Sequence, residues 1–478
     1  MPLGSPVVTP AEMARIDAAA PEPVEVLIGR AGRAVARRAL DLLGGAYGRR
    51  VVVMAGKGNN GNDGRAAAAV LQQAGARVEV LAATEVPAEL PLCDLVIDAA
   101  YGTGFRGSWS APRIPADRTP LVLAVDIPSG VDGTTGEVAE GTRPLWADAT
   151  VTFAAVKPGL LFTPGSSYVG SLTVADIGLD TSSATMTLLD DVGVAGHWPR
   201  REVGDHKWDH AVWVVAGGPG MDGAAALVCA GAQRSGAGYV RLSTPGVAPE
   251  VTTSGGRVPL EVVRTALPER DWWAAMTADV TRFGALVVGN GMGSSVDPVE
   301  VATLVDRSPV PVVVDADGLR LLAASGRLTA GPLGDHVVLT PHDGEFTALC
   351  GHAPGIDRVA ETRALASSCG AVVLLKGPTT VVASPSGEVL LSTSGDARLA
   401  TAGTGDVLAG MVGSLCAQGV PPFHAAGMAA YGHGRAADLG WSQGLVASDL
   451  AGLVPAAVAA MGVARPGGNA TLRTIDRS

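Results

Sequence analysis

Thr401-Ala402-Gly403-Thr404-Gly405-Asp406 runs straight into an apolar stretch beginning Val407-Leu408-Ala409. Glycines let successive backbone N–H groups converge on one point, and a helix N-terminus adds its positive dipole end there, so the loop suits an anion, above all phosphate. A carboxylate closing such a loop attracts no anion, but it is a sensible general base for a hydroxyl about to attack a phosphoryl group. Taken alone, Asp406 reads equally well as a helix cap. The other strand-end motifs weigh against that.

After an apolar run at residues 51–55 comes Gly56-Lys57-Gly58-Asn59-Asn60-Gly61-Asn62-Asp63-Gly64. Glycine and asparagine tolerate left-handed backbone, and a loop opening onto a helix N-terminus suits a pyrophosphate. It lacks the G-x-G-x-x-G spacing, and no acid stands clearly in the ribose-binding place; a tight strand-to-helix turn is the competing reading. A second strand ends in Asp98 and leads to Gly102-Thr103-Gly104-Phe105-Arg106-Gly107-Ser108, and a third ends in Asp126-Ile127-Pro128-Ser129-Gly130. Further on, strand-like runs deliver Gly289-Asn290-Gly291-Met292-Gly293, Asp315-Ala316-Asp317-Gly318, Thr340-Pro341-His342-Asp343-Gly344-Glu345 and Lys376-Gly377-Pro378-Thr379-Thr380. Asp315 and Asp317 read as ligands or as caps of a strand-to-helix turn. His206 and His210 lie at helical spacing without a third ligand nearby, which favours a polar strand entry over zinc.

The elements that position these residues form two alternating sets. Thr9-Pro10-Ala11-Glu12 is a capping box with proline at the first helical position. A second helix carries Leu27, Ala31, Val35 and Leu42 on one face and stops at Gly44-Gly45. Buried-strand patterns follow at residues 51–55, 78–81, 95–99, 121–125, 150–154 and 172–174, with a helical stretch at 66–73. This pattern implies a Rossmann-like, doubly wound α/β sheet with ligands at the strand C-termini. Periodicity weakens between Asp180 and Val203, which divides the chain into domains at 1–190 and 200–478. The second set repeats the alternation from residue 211 and gathers its polar motifs at one sheet edge, hence one site.

Composition excludes several classes. At 478 residues with 47% apolar and 17% charged side chains, the chain supports two substantial cores and is not disordered. A net charge of −11 and 4% aromatics argue against nucleic-acid polymers and leave small nucleotides, held by local amides and cations. Five scattered cysteines without a C-x-x-C pair fit reduced thiols. No signal peptide and no membrane-length apolar run is visible, so a cytoplasmic protein that binds no membrane is expected.

Gly-Lys-Gly-Asn-Asn-Gly-x-Asp, Asp-x-x-x-Gly-Thr-Gly and Asp-Ile-Pro-Ser-Gly, in this order over roughly the first 180 residues, resemble the NAD(P)H-hydrate epimerase domain. The resemblance implies K⁺ held by Asn60, Asp98 and Ser129. It implies hydrated nicotinamide nucleotide contacts at Asn59, Asn60, Gly61, Asn62, Asp63, Gly102, Thr103, Gly104, Phe105, Arg106, Gly107, Ser108 and Asp126, with Asp126 nearest the reacting carbon. Asn62 replaces the usual glycine. From about Glu202 to Gly462, Asp-Ala-Asp-Gly, Pro-His-x-Gly-Glu, Leu-Lys-Gly and Ala-Gly-Thr-Gly-Asp resemble the ribokinase-like superfamily, and within it the ADP- or ATP-dependent NAD(P)H-hydrate dehydratases. Implied nucleotide contacts are Lys376, Gly377, Pro378, Thr379, Thr380 and Gly405. Implied hydrate contacts are Ala224, Gly293, His342 and Asp406, with Asp406 as base, and Glu345 organises Mg²⁺ through water. Asp343 stands where proline is usual.

Together the two resemblances imply a homo-oligomeric repair enzyme that epimerises NAD(P)H hydrates and dehydrates the S form at the expense of ADP, the first expectation, or ATP. The alternative is a vitamin-precursor kinase, for a hydroxymethylpyrimidine or thiazole alcohol, carrying an N-terminal non-catalytic scaffold domain.

Overall fold

The computed structural model describes residues 2–115, 119–247 and 258–463. Contacts divide the chain into two units, Ser5–Met186 and Thr187 onward, with residues up to Gly4 counted in the second. The division falls inside the weakly patterned stretch, yet that stretch is no linker: it forms the strand Met186–Leu189 and the helix Asp191–His197, capped by Asp190. The expected first domain, 1–190, is therefore trimmed at both ends. Leu3 and Leu189 bury themselves with Val194 and Trp198 in the second unit's core, a placement that local periodicity over four-residue segments does not reveal. Of the expected 200–478 domain, residues 464–478 lie outside the described residues.

The first unit holds six parallel strands in the order Arg77–Ala82, Arg50–Ala55, Leu95–Ala99, Leu121–Val125, Ala149–Phe153, Ser171–Ala175. The inner strands are buried on both faces, which is why they read as continuous apolar runs. The chain leaves Arg50–Ala55 toward one sheet edge and returns to its other side at Leu95–Ala99. That reversal opens a crevice at the strand C-termini, where doubly wound folds bind ligands. Helix Val24–Leu43 covers one face, burying Leu27, Ala31, Val35 and Leu43 against Asn59–Gln73, while Leu42 is only half-buried.

The glycine-rich stretch after Arg50–Ala55 differs from the sequence expectation. Helix Asn59–Gln73 starts within it, capped by Gly58, so Gly61, Asn62, Asp63 and Gly64 are helical and none of the glycines there takes a positive φ. They are needed for close approach instead. A Cβ on Gly61 would stand 2.0 Å from the Gly56 carbonyl oxygen.

In the second unit, seven strands run parallel from Val263–Arg264 through Tyr239–Ser243, Ala211–Val215, Ala285–Val288, Val312–Val314 and Val337–Leu339 to Val372–Leu375. Thr380–Ala383 and Val389–Ser392 then add antiparallel. The order reverses beside Ala211–Val215, giving a second switch point. Helix Thr404–Ala417 is buried along most of its length and lies against Asp222–Arg234, close enough that a Cβ on Gly410 would come 2.0 Å from the Val228 carbonyl oxygen. No helix among the described residues is long and apolar enough to cross a membrane.

This contact gives the first prediction. Gly410→Ala forces two helix backbones apart and is expected to destabilise the second unit by roughly 1–3 kcal/mol. Thermal denaturation of the purified chain should show the corresponding fall in Tm.

Candidate active sites

Each unit carries a large cavity at the C-terminal edge of its sheet. In the first unit it encloses about 840 Å³. Asn59, Asn60, Asp63, Gly102, Thr103, Gly104, Phe105, Arg106 and Asp126 line it. Gly61, Asn62, Gly107 and Ser108 do not reach its wall: Gly61 is packed under the Gly56 carbonyl, and the Asn62 side chain is taken up by Arg65.

Asp126 holds a left-handed φ of 66°, a strained conformation for a residue with a Cβ and one that collects at functional sites. Its Oδ1 accepts from Lys157 Nζ at 2.7 Å and from Thr152 Oγ1 at 3.0 Å. Lys157 is 1% exposed and also donates to Thr152 Oγ1 and the Phe153 carbonyl. A buried ammonium facing a strained carboxylate on a cavity wall holds a proton where a reacting group can reach it. Asp17 and Asp63 line the same cavity. Burial, then the nearby Asp126 and Asp17 carboxylates, push Asp63 up to about 8, with Lys157 opposing.

Behind this wall, Asp98 and Ser129 are fully buried. Asp98 Oδ1 accepts from Ser129 Oγ at 2.6 Å and Oδ2 from the Ser129 N–H at 3.0 Å. Burial raises the Asp98 pKa despite those bonds. Asn60 lies against Gly102, and both polar atoms of its side-chain amide are buried without a partner. An amide oxygen without a partner and a buried carboxylate that forms no ion pair among the described residues are the kinds of oxygen that could hold a weakly hydrated monovalent cation.

The second unit's cavity encloses about 1000 Å³. His342, Glu345, Lys376, Gly377, Pro378, Thr380, Gly405 and Asp406 line it; Thr379 lies buried beside them, and Ala224 and Gly293 are not on this wall. Ala224 is near Gly291 at the end of Ala285–Val288, and the Gly293 N–H donates to Asp317 Oδ2 at 2.9 Å. Helix Thr404–Ala417 begins after Gly403, whose φ of 91° is open to glycine at little cost and turns the Thr404 and Gly405 amides into the first helical turn. No side chain caps this helix, so the capping role for Asp406 falls away.

Asp406 Oδ1 instead accepts from Asn290 Nδ2 at 2.7 Å. The same nitrogen donates to Asp315 Oδ2 at 2.8 Å, and Lys376 Nζ donates to Asp315 Oδ1 at 2.6 Å. Burial pushes Asp406 up to about 6; the Asn290 hydrogen bond lowers it, Asp315 and Glu345 raise it, and Lys376 lowers it. Burial works against the charged Lys376, but Asp315 and Glu345 outweigh it and hold its ammonium above the ordinary lysine range. Glu345 Oε2 accepts from the His342 N–H in a capping box and stands 4.0 Å from Lys376 Nζ. Asp343 pairs with Arg358 at 2.8 Å, and Arg358 also donates to the Lys376 carbonyl at 2.8 Å, so this departure from proline braces the lysine loop.

Two residues that these contacts single out, Lys157 and Asn290, had no role assigned from sequence, and a third, Asp315, had two open readings. Lys157 gave a faint signal, a lone lysine just past a buried strand, before proline. Asn290 stood in a glycine-rich strand end without an assigned role. Asp315 is neither a cap nor a free ligand but the counter-charge of Lys376. His210 bonds Asp205 at 3.0 Å, and no cluster of three or more His, Cys, Asp or Glu side chains that could hold a metal occurs among the described residues.

The family model described as NAD(P)H-hydrate dehydratase matches residues 212–454, and the YjeF-related protein N-terminus model matches 24–91 and 82–159. The chain is 34% identical over 519 residues to the bifunctional NAD(P)H-hydrate repair enzyme Nnr of Moorella thermoacetica, covering 94% of this chain and 96% of that one. It is 36% identical over 424 residues to the like-named enzyme of Mycobacterium leprae, covering 83% and 84%. A ribokinase-like superfamily protein from Enterococcus faecalis superposes at a TM-score of 0.51 and 20% identity over 59% of this chain and 98% of that one, a likeness of fold alone.

The raised Asp63 has a consequence for stability. From the ordinary 3.8 to about 8 the unfolded carboxyl is ionised and the folded one protonated. The native state then binds more protons, so this group lowers stability as pH rises through that window. Asp63→Asn should flatten the fall of Tm between about pH 4 and 8, read by thermal scans of both proteins at several pH values.

Proposed function

The chain belongs to the bifunctional NAD(P)H-hydrate repair enzymes, and from that premise we propose how its two cavities divide the work. The second unit's cavity dehydrates the S hydrate with ADP or ATP; the first unit's cavity interconverts the R and S hydrates so that neither is lost. The observation that carries this is Asp406: a half-buried carboxylate in the first turn of a helix, held by Asn290 and pushed up to about 6, beside the Lys376 loop.

Hydroxide is a poor leaving group, and phosphorylation makes the hydrate's hydroxyl a good one. With the nucleotide's phosphates at the N-terminus of helix Thr404–Ala417, the Gly403, Thr404 and Gly405 amides stabilise charge in flight, and Lys376 adds a cation. Asp406 takes the hydroxyl proton as its oxygen attacks the terminal phosphoryl group. Phosphate then leaves with the carbon–oxygen electron pair, a proton leaves the neighbouring carbon, and the ring double bond re-forms. Glu345, a cavity-facing carboxylate with one oxygen on a cap, suits Mg²⁺ held through water; the ion would neutralise phosphate charge.

In the first unit, the Lys157–Asp126 pair supplies a proton to the departing hydroxyl and recovers it when water returns to the other face of the ring. The orphaned Asn60 amide with Asp98 and Ser129 fits K⁺, which would steady the Gly102 loop. The vitamin-precursor kinase reading explains none of these first-unit features, and relatives matching along nearly the whole chain speak against an inert scaffold.

Asp406→Asn should lower nucleotide-dependent dehydration by about 10²–10⁴-fold while the epimers still interconvert. Recovery of NADH absorbance from the hydrate reads the first and chromatography the second; dehydration within about threefold of the parent would remove Asp406 as base. In the parent enzyme the rate should fall as pH drops below about 6, because a protonated Asp406 accepts no proton.

The other half is tested separately. Lys157→Met should slow epimer interconversion by about 10²-fold and leave dehydration of the S hydrate running. An epimer ratio that still relaxes at the parent rate would clear Lys157 of a catalytic role.

A further inference from the structure

The first unit's cavity crosses the sheet edge in strand order. Its wall takes Ala82, Ala83 and Thr84 from the end of the edge strand, then the 55–60 turn, then the 100–106 loop, then Asp126, and Phe153 at the fifth strand. Four steps between neighbouring strands span about 19 Å. A dinucleotide lying across that edge has its reacting ring at the Asp126–Lys157 end and its pyrophosphate over the N-terminus of helix Asn59–Gln73. Its adenosine ribose then falls beside Ala82, Ala83 and Thr84.

A ribose that carries free 2′ and 3′ hydroxyls is held in such folds by a carboxylate at this strand end. Here the strand-end residues on the wall are two alanines and a threonine, and Glu85, the next residue, is exposed and off the wall. What the wall offers instead is cationic. Lys57 and Arg65 both line it, both are exposed, and neither forms an ion pair among the described residues. Arg65 Nη1 donates to Asn62 Oδ1 at 3.2 Å, which aims the guanidinium and leaves its other donors available. Asn62 stands where the family resemblance implies glycine, and its side chain contacts this arginine.

We propose that the epimerase site selects the hydrate of the 2′-phosphorylated dinucleotide, with Arg65, aimed by Asn62 and assisted by Lys57, receiving the 2′-phosphate. This rests on the epimerase reading of the first unit. A phosphate dianion matches the planar guanidinium fork, and a bare ribose finds no carboxylate at the 82–84 strand end. Asn62 is a positioning residue: it acts through Arg65.

The test uses the full chain with no ADP or ATP, so that only epimer interconversion is seen. Mixed-epimer NADH hydrate and NADPH hydrate are compared by KM and kcat. The parent enzyme should show a KM about tenfold lower for the NADPH hydrate, the size of one charge-assisted contact at a partly hydrated site. Arg65→Ala should collapse the ratio of the two KM values toward one, and Arg65→Lys should restore part of it. Asn62→Gly should move the ratio the same way by less, through KM rather than kcat. Equal KM values in the parent enzyme, or an Arg65→Ala effect that is the same for both hydrates, would overturn the proposal while leaving the epimerase intact. Failure to interconvert either hydrate would instead overturn the epimerase reading on which it rests.

Discussion

A charge taken out of water at the end of a buried strand costs several kcal/mol unless a partner meets it there, and both halves of this chain are built around that constraint. In the first unit Asp126 is met by Lys157, whose three donors are all used. In the second, one asparagine nitrogen ties Asp406 to Asp315, and Asp315 in turn holds Lys376. These pairs do more than neutralise. In the second unit they leave Asp406 short of full compensation, pushed up to about 6. It is basic enough to take a proton near neutrality and is held in place before substrate arrives.

The same economy governs the backbone. Parallel strands buried on both faces leave little space where the chain turns into a helix, so glycines stand at the points of closest approach. Gly61 sits against a carbonyl oxygen, and Gly403 adopts a backbone angle that other residues take only under strain. The turns therefore bring amide groups to the mouth of each cavity. Asp126 carries its side chain in the left-handed region at the end of Leu121–Val125, and the Lys157 and Thr152 hydrogen bonds hold it there.

Splitting the chemistry between two such mouths suits the substrate. Hydration yields two epimers, and a phosphorylating site shaped for one hydroxyl orientation leaves the other untouched. A second site that only needs to release and return a hydroxyl requires a proton donor and no phosphoryl donor. The two cavities differ accordingly: one holds a lysine–aspartate pair whose lysine is buried, the other a helix N-terminus with a half-buried carboxylate in its first turn.

The sequence by itself determined the two-part α/β plan, the strands and the loops that carry chemistry, because double-sided burial writes itself as apolar runs and strand-end turns demand glycine. It also pointed to some of the residues that line each cavity, since those sit within a few positions of a strand end. Only the tertiary structure decided what pairs with what. Asn290 and Asp406 are separated by 116 positions, and Lys376 and Asp315 by 61, so no local pattern links them. Lys157 reaches Asp126 from 31 residues away for the same reason. The unit boundary was likewise settled by packing, where Leu3 and Leu189 share a core that spans nearly the whole chain length. Even the glycines of the 56–64 turn changed meaning: composition alone cannot separate a need for unusual backbone angles from a need for closeness. The distance between Gly61 and the Gly56 carbonyl can.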